Sequence, residues 1–131
     1  MSIRILFGTE TGNAEECADD LGNALQEAGF PAEVIDLENF EPAELAQSGL
    51  VLMVTSTYGN GDPPYSAEAL MKWLSQPEAS IGGVSFGVCG LGDRTYPLFA
   101  KAGKDFDRLM EERGGRRVIP RQDCDAEFEE A

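Results

Sequence analysis

The segment Gly8-Thr9-Glu10-Thr11-Gly12-Asn13 sets two threonine hydroxyls between two glycines, directly ahead of a stretch with helical periodicity. Backbone N–H groups at a helix start are unpaired and carry the positive end of the helix dipole, so such a turn can cradle a phosphate. The segment holds no Lys or Arg and matches neither G-x-x-x-x-G-K-[ST] nor G-x-G-x-x-G. A nucleoside triphosphate or a dinucleotide is therefore a poor ligand for it, and a terminal monophosphate held by neutral donors fits better.

Two further segments carry glycine beside an aromatic ring. Thr55-Ser56-Thr57-Tyr58-Gly59-Asn60-Gly61-Asp62-Pro63-Pro64 allows a sharp turn and close backbone approach to a flat ligand, with Tyr58 beside it. Gly90-Leu91-Gly92-Asp93-Arg94-Thr95-Tyr96-Pro97 repeats the combination. Taken singly, the first segment is explained by a capped helix after a glycine turn, and each of the other two by a tyrosine packed at the surface. Together, two phenol rings opposite a phosphate cradle can sandwich a planar aromatic system and exclude water from it.

The chain contains no histidine, and its three cysteines, Cys17, Cys89 and Cys124, are widely spaced with no C-x-x-C pair. That argues against a disulfide framework, a zinc site and a histidine-based hydrolytic triad. Chemistry here needs a borrowed cofactor. Cys89 reads as a small buried hydrophobe, and Cys124 as the more exposed thiol.

These loops must be positioned by the elements around them. Residues 3–7, 32–37, 50–54, 84–89 and 117–119 are short and rich in branched or aromatic side chains, several as continuous apolar runs, which suits strands buried on both faces. Between them, Ala14, Cys17, Ala18, Leu21, Leu25 and Ala28 recur at helical spacing, with Asn13 as cap and Gly29 as stop. Phe99, Ala102, Phe106, Leu109, Met110 and Arg113 mark another helix, from Pro97 in its first turn to Gly114-Gly115. Ala67, Leu70, Met71 and Leu74 mark a third, with Ser66 as its expected cap, while residues 41–46 suggest a short helix and 126–131 the first turns of a last one. Alternating strands and helices predict an α/β fold with a parallel sheet, whose ligand sits outside the carboxyl ends of the strands where their order reverses.

At 131 residues the expectation is one domain spanning the chain. The formal charge of −14, from 24 acidic and 10 basic residues, disfavours nucleic acid and anionic membranes and favours a basic protein partner. No segment is apolar for long enough to cross a bilayer, and the start of the chain lacks the pattern of a signal peptide, so a monomer in the cytoplasm is expected.

The three motifs T-E-T-G-N-A-E at 9–15, S-T-Y-G-N-G-D-P-P at 56–64 and G-L-G-D-R-T-Y-P-L-F at 90–99 resemble the FMN-binding segments of the flavodoxin family. The second and third are most similar to the diflavin-reductase branch, which includes the FMN domains of cytochrome P450 reductase and sulfite reductase flavoprotein. The resemblance covers the whole chain and implies a three-layer flavodoxin-like fold, with a five-stranded parallel sheet in the order 2-1-3-4-5 and helices on both faces. It implies that Thr9, Glu10, Thr11, Gly12 and Asn13 hold the FMN phosphate, and that Tyr58 and Tyr96 flank the isoalloxazine. Thr55, Ser56, Thr57, Asn60 and Gly61 would complete the second segment. Gly59 would offer a movable carbonyl near flavin N5, and Leu91, Gly92, Asp93 and Phe99 would contact the ring edge or ribityl chain. Asp123 or Asp125, expected in the loop after the last strand, resembles an acidic position beside the flavin. The family normally continues with a full closing helix, so the last helix is expected to be truncated here.

The implied function is one-electron transfer from a flavoprotein reductase to a basic-faced protein acceptor such as a cytochrome P450 or another haem or iron–sulfur protein. Glu10, Asp62, Asp93, Asp123 and Asp125 would oppose added negative charge on the flavin, making it a strong reductant when reduced. Two alternatives share the fold. A flavodoxin-like NAD(P)H quinone reductase needs a further basic cluster that the sequence does not offer. A receiver-type signalling domain needs a phospho-accepting Asp ending the third strand, where Thr57 and Tyr58 stand.

Overall fold

The computed structural model describes residues 3–8, 13–56, 65–92, 101–119 and 121–125. In chain order these form β1 (Ile3–Gly8), α1 (Asn13–Glu27), β2 (Ala32–Asp36), 3-10 turns at Leu37–Asn39 and Pro42–Gln47, and β3 (Leu50–Ser56). A 3-10 turn at Tyr65–Ala67 leads into α2 (Glu68–Leu74), followed by β4 (Ser85–Gly92), α3 (Lys101–Glu112), β5 (Arg116–Arg117) and β6 (Gln122–Asp125). The sheet runs β2-β1-β3-β4-β5, with β6 also paired to β4, and every pairing is parallel. This is the expected 2-1-3-4-5 order.

Strand alternation divides the apolar residues between two cores. Ile3, Ile5 and Phe7 of β1, with Leu50, Leu52 and Val54 of β3, pack on the face that α1 covers through Ala14, Ala18, Leu21 and Leu25. Leu6, Val51, Met53, Phe86 and Val88 point the other way, against Leu70 and Leu74 of α2 and Phe106, Leu109 and Met110 of α3. Helices on both faces are what strands apolar on both sides require.

Several boundaries differ from the sequence reading, each for a local reason. The second strand stops at Asp36, whose Oδ1 accepts the Glu38 N–H at 2.9 Å and turns the chain into a 3-10 turn. Residues expected as a short helix at 41–46 form the 3-10 turn Pro42–Gln47. Ala28 is exposed rather than part of the α1 stripe, because the helix ends at Glu27 and Gly29 follows at φ 94°. Gly114, at φ 103°, ends α3 in the same way. Ser66 does not cap α2: it lies within the preceding turn, Ala67 takes the cap position without a side-chain bond, and the buried Ser66 Oγ has no hydrogen-bond partner among the described residues.

The fifth strand is the largest correction. In place of one run at 117–119 the chain pairs with β4 twice, first through Arg116–Arg117 and again through Gln122–Asp125. The Val118 N–H still reaches the Phe86 carbonyl at 3.0 Å, but proline at 120 has no N–H to give a ladder. Asp123 and Asp125 therefore belong to a strand and not to a loop beyond it. Residues 126–131, Pro97 and Phe99 lie outside the described residues.

An ion-pair cluster fastens this edge to α3. Asp107 interrupts the apolar stripe of α3 and is almost fully buried, yet its two carboxylate oxygens accept Arg117 Nε at 2.8 Å and a terminal guanidinium nitrogen at 2.9 Å. Arg117 also bonds Glu111 at 3.2 Å and lies 5.7 Å from the centre of the Phe86 ring. The hydrogen bond that Arg117 donates to Asp107, joined by those to Glu111, holds the guanidinium pKa above its ordinary value.

Candidate functional site

The site is built on one row of the sheet. Gly8 of β1 lies in register with Thr55 of β3, Thr55 with Gly90 of β4, and Gly90 with Asp123 of β6. At the usual spacing of neighbouring strands, this row spans about 14 Å. The three segments that sequence reasoning singled out leave the sheet at or just past it, since β1 ends at Gly8, β3 at Ser56 and β4 at Gly92. The reversal of strand order falls between β1 and β3, where a doubly wound sheet opens its binding crevice.

α1 begins at Asn13, so five residues after the end of β1 the chain is already helical. Fully buried Ala14 and Ala18 pin this end of the helix to the sheet. Its first N–H groups have no intrahelical acceptor and are available to an anion at this rim. Glu15 and Glu16, which would compete for that field, are both exposed to solvent. The described donor set therefore fits a phosphate at this end of the site.

Thr55 is fully buried in the central strand of the row, beneath the rim. Ser56, Leu91 and Gly92 continue the ends of β3 and β4, with Ser56 in register with Leu91. Asp125 pairs with Gly92, which brings the acidic end of β6 alongside the third segment. Thr9, Glu10, Thr11, Gly12, Thr57, Tyr58, Gly59, Asn60, Gly61, Asp93, Tyr96 and Phe99 lie outside the described residues. The structure thus positions the ends from which those segments depart.

Sequence reasoning missed one pair of reactive groups. Cys17 and Cys89, read as widely spaced, are brought together between α1 and β4, and the Cys89 thiol hydrogen-bonds that of Cys17. Both are half-buried, so Cys89 is neither the fully enclosed hydrophobe expected nor isolated. The signal was the position of Cys17 on the sheet-facing stripe of α1, but only the strand register shows which residue it meets.

A parallel sheet in this order, with three glycine-bearing segments departing from adjacent strand ends beside a helix start, defines a mononucleotide-binding α/β domain. The flavodoxin family model matches residues 5–131, and the chain belongs to that family. Its cofactor is FMN, and the domain is an FMN-binding electron-transfer domain. It is 37% identical over 129 residues to the sulfite reductase [NADPH] flavoprotein alpha-component of Bacillus subtilis, covering 98% of this chain and 21% of that protein. The corresponding protein of Zymomonas mobilis is 42% identical over 130 residues, covering 98% of this chain and 22% of its own length. The chain thus spans about a fifth of the length of these relatives.

Among solved structures, a flavodoxin of Streptococcus pneumoniae superposes with a TM-score of 0.86 at 28% identity, covering 95% of this chain and 85% of the other. Oxidised flavodoxin 2 of Bacillus cereus gives 0.86 at 26% identity, covering 95% and 84%. Among the described residues no helix is long and apolar enough to cross a membrane, and no group of three His, Cys, Asp or Glu residues is placed to hold a metal ion.

Proposed function

We propose that this chain takes electrons from an NADPH-linked flavoprotein reductase and passes them singly to a basic-faced haem or iron–sulfur protein. The observation that carries the reading is the row Gly8, Thr55, Gly90 and Asp123, which sends three segments of the right composition out of one rim. The similarity to NADPH sulfite reductase flavoprotein components supports a reductase of that kind as the donor. Bound FMN supplies the chemistry, accepting electrons in pairs or singly and releasing them one at a time.

The chain's own residues bind, orient and shield. Thr9, Thr11 and the N–H groups from Glu10 to Asn13 hold the phosphate without a countercharge, anchored by α1. Tyr58 and Tyr96 would enclose the ring and exclude water, and the Gly59 carbonyl would accept the N–H that reduction adds to the flavin. Thr55 and Ser56, with Leu91 and Gly92, would form the floor of the site, with Thr57, Asn60, Gly61, Asp93 and Phe99 at its sides. Asp123 and Asp125 bring negative charge to the edge of the ring, which disfavours an anionic flavin and strengthens its reducing power.

The test is reconstitution of the purified chain. FMN should be taken up at micromolar concentration, riboflavin much more weakly, and stepwise reduction should raise a transient long-wavelength absorption midway. Folded protein that takes up no FMN would sink the reading. Steady consumption of NADPH with a quinone, with no reductase added, would instead point to the quinone-reductase alternative.

A further inference from the structure

We propose that Cys17 and Cys89 form a redox modification site: a hydroperoxide converts the two thiols into an intramolecular disulfide that ties α1 to β4, and a thiol reductant reverses it. The inference goes beyond electron transfer and does not rest on the flavin assignment.

Two features of the fold bring these sulfurs together. On β4, Phe86 and Val88 belong to the core under α2 and α3, so alternation turns Gly87 and Cys89 to the α1 face. On α1, Cys17 stands between Ala14 and Ala18, both fully buried, and these small side chains let the helix lie close to the sheet. The two thiols meet within hydrogen-bonding distance, at the edge of the core formed by Phe7, Ala14, Ala18 and Val54. Both remain thiols and both are half-buried rather than sealed.

Access and reactivity follow from the surroundings. Cys89 lines an apolar groove of about 210 Å³, together with Leu21, Leu52, Val54, Gly87 and Ile119. Ile119 is 42% exposed, so the groove reaches the surface beside Cys89, and Cys17 on the facing helix is itself half-buried rather than sealed. The hydrogen bond from Cys89 draws the Cys17 thiol down from 9.0 to about 7, although burial and the Asp20 carboxylate both push it up. At pH 7.5 such a thiol is about three-quarters thiolate, against about 3% for one titrating at 9.0. Cys17 is accordingly the attacking sulfur and Cys89 the resolving one.

The steps balance. The Cys17 thiolate attacks the distal oxygen of the hydroperoxide, the O–O bond breaks, the alcohol leaves after taking up a proton, and Cys17 becomes a sulfenic acid. The Cys89 sulfur then attacks the Cys17 sulfur, the S–O bond breaks, and the oxygen departs as water with the thiol proton. Two thiols are oxidised by two electrons, and one hydroperoxide is reduced to alcohol and water.

The experiment treats the purified, FMN-supplemented full chain with a few equivalents of hydrogen peroxide, alkylates it under denaturing conditions and maps the peptides by mass spectrometry. Cys17 and Cys89 should lose alkylation in step, appear as one cross-linked peptide pair two hydrogens lighter, and recover with dithiothreitol. Cys124→Ser should behave identically. Cys89→Ala, which keeps a small side chain at the site, should oxidise Cys17 more slowly but, lacking the resolving sulfur, let the sulfenic acid be caught as a dimedone adduct that the parent chain does not accumulate. The proposal fails if Cys17 and Cys89 stay alkylatable while Cys124 oxidises, if the cross-link formed involves Cys124, or if Cys17 proceeds to sulfinic acid in the parent without linking.

Discussion

Gly103 of α3 rests on the backbone of Gly90 in β4: a Cβ at position 103 would lie 2.8 Å from the Gly90 Cα and 3.3 Å from its nitrogen. Gly90 is one of the four residues in the row from which the site is built. The eight residues from 93 to 100, which include Asp93, Tyr96 and Phe99, join the end of β4 to the start of α3. How closely α3 approaches β4 therefore fixes the distance between the two ends of that segment.

Gly103→Ala should be destabilising even though alanine is the better helix former. The gain in helix propensity is about 1 kcal/mol, whereas forcing a methyl against backbone that has no rotamer to yield costs about 1–3 kcal/mol. The expected net loss is up to about 2 kcal/mol, a fall of up to several degrees in melting temperature, together with weaker FMN retention because α3 lifts from Gly90. A variant with unchanged melting temperature would show that the two elements are not held at this distance.

Asp107→Ala should cost about 1–3 kcal/mol in urea unfolding. Removing one partner of a fully buried pair costs about 3–5 kcal/mol, but the Arg117 side chain is 30% exposed and keeps Glu111, so water and the second carboxylate recover part of the loss. Glu111→Ala, at a side chain 59% exposed, should change stability by no more than about 0.5 kcal/mol. Equal effects at the two positions would contradict the burial difference that separates them.

Most strands and the two-sided core were legible because strands covered on two faces show as apolar runs, and α1 and α3 show as stripes with glycine stops, whereas the strand order followed only from the resemblance of the three motifs to the flavodoxin family. The extent of the fifth strand was not legible, because Arg116 looks like a surface residue, and because the second pairing resumes after proline through Gln122 and Asp123, whose side chains carry no strand signature. The segments of the site stood out through glycine, tyrosine and threonine, types chosen for turns and contacts. Of the Cys17–Cys89 meeting the sequence showed only one half, the place of Cys17 on the sheet-facing stripe of α1, since the two residues are 72 positions apart and only the register shows which residue Cys17 meets.

Phosphate and ring should be separable by mutation. Thr11→Val removes a hydroxyl donor from the phosphate segment and should weaken FMN while leaving riboflavin affinity unchanged. Tyr96→Ala should weaken both, by about 5- to 150-fold, which corresponds to about 1–3 kcal/mol of lost stacking. Quenching of flavin fluorescence measures each. Equal losses of FMN and riboflavin in Thr11→Val would remove the phosphate from that end of the site.

Replacing Asp62 and Asp93 together with Asn should slow reduction of a basic acceptor at low salt far more than at high salt. The chain carries a net charge of −14, and steering over its surface acts within about 10 Å at 0.1 M salt. Stopped-flow transfer to a basic cytochrome across a salt series gives the slope. Equal slowing at every ionic strength would mean that these carboxylates do not guide the encounter.

Alkylation of Cys17 should report the hydrogen bond from Cys89 directly. Iodoacetamide reacts with thiolate, so in the parent chain the Cys17 rate should rise with pH through a midpoint near 7. Cys89→Ala removes the one interaction that lowers this value and leaves burial and Asp20, which both raise it, so the midpoint should move above 9.0. At pH 7.5 the variant should then react at least about threefold more slowly, once the greater intrinsic nucleophilicity of the less acidic thiol is set against its smaller thiolate fraction. Asp20→Asn should shift the parent's midpoint slightly the other way, since it relieves a repulsion. An unmoved midpoint in Cys89→Ala would show that some other group stabilises the Cys17 thiolate.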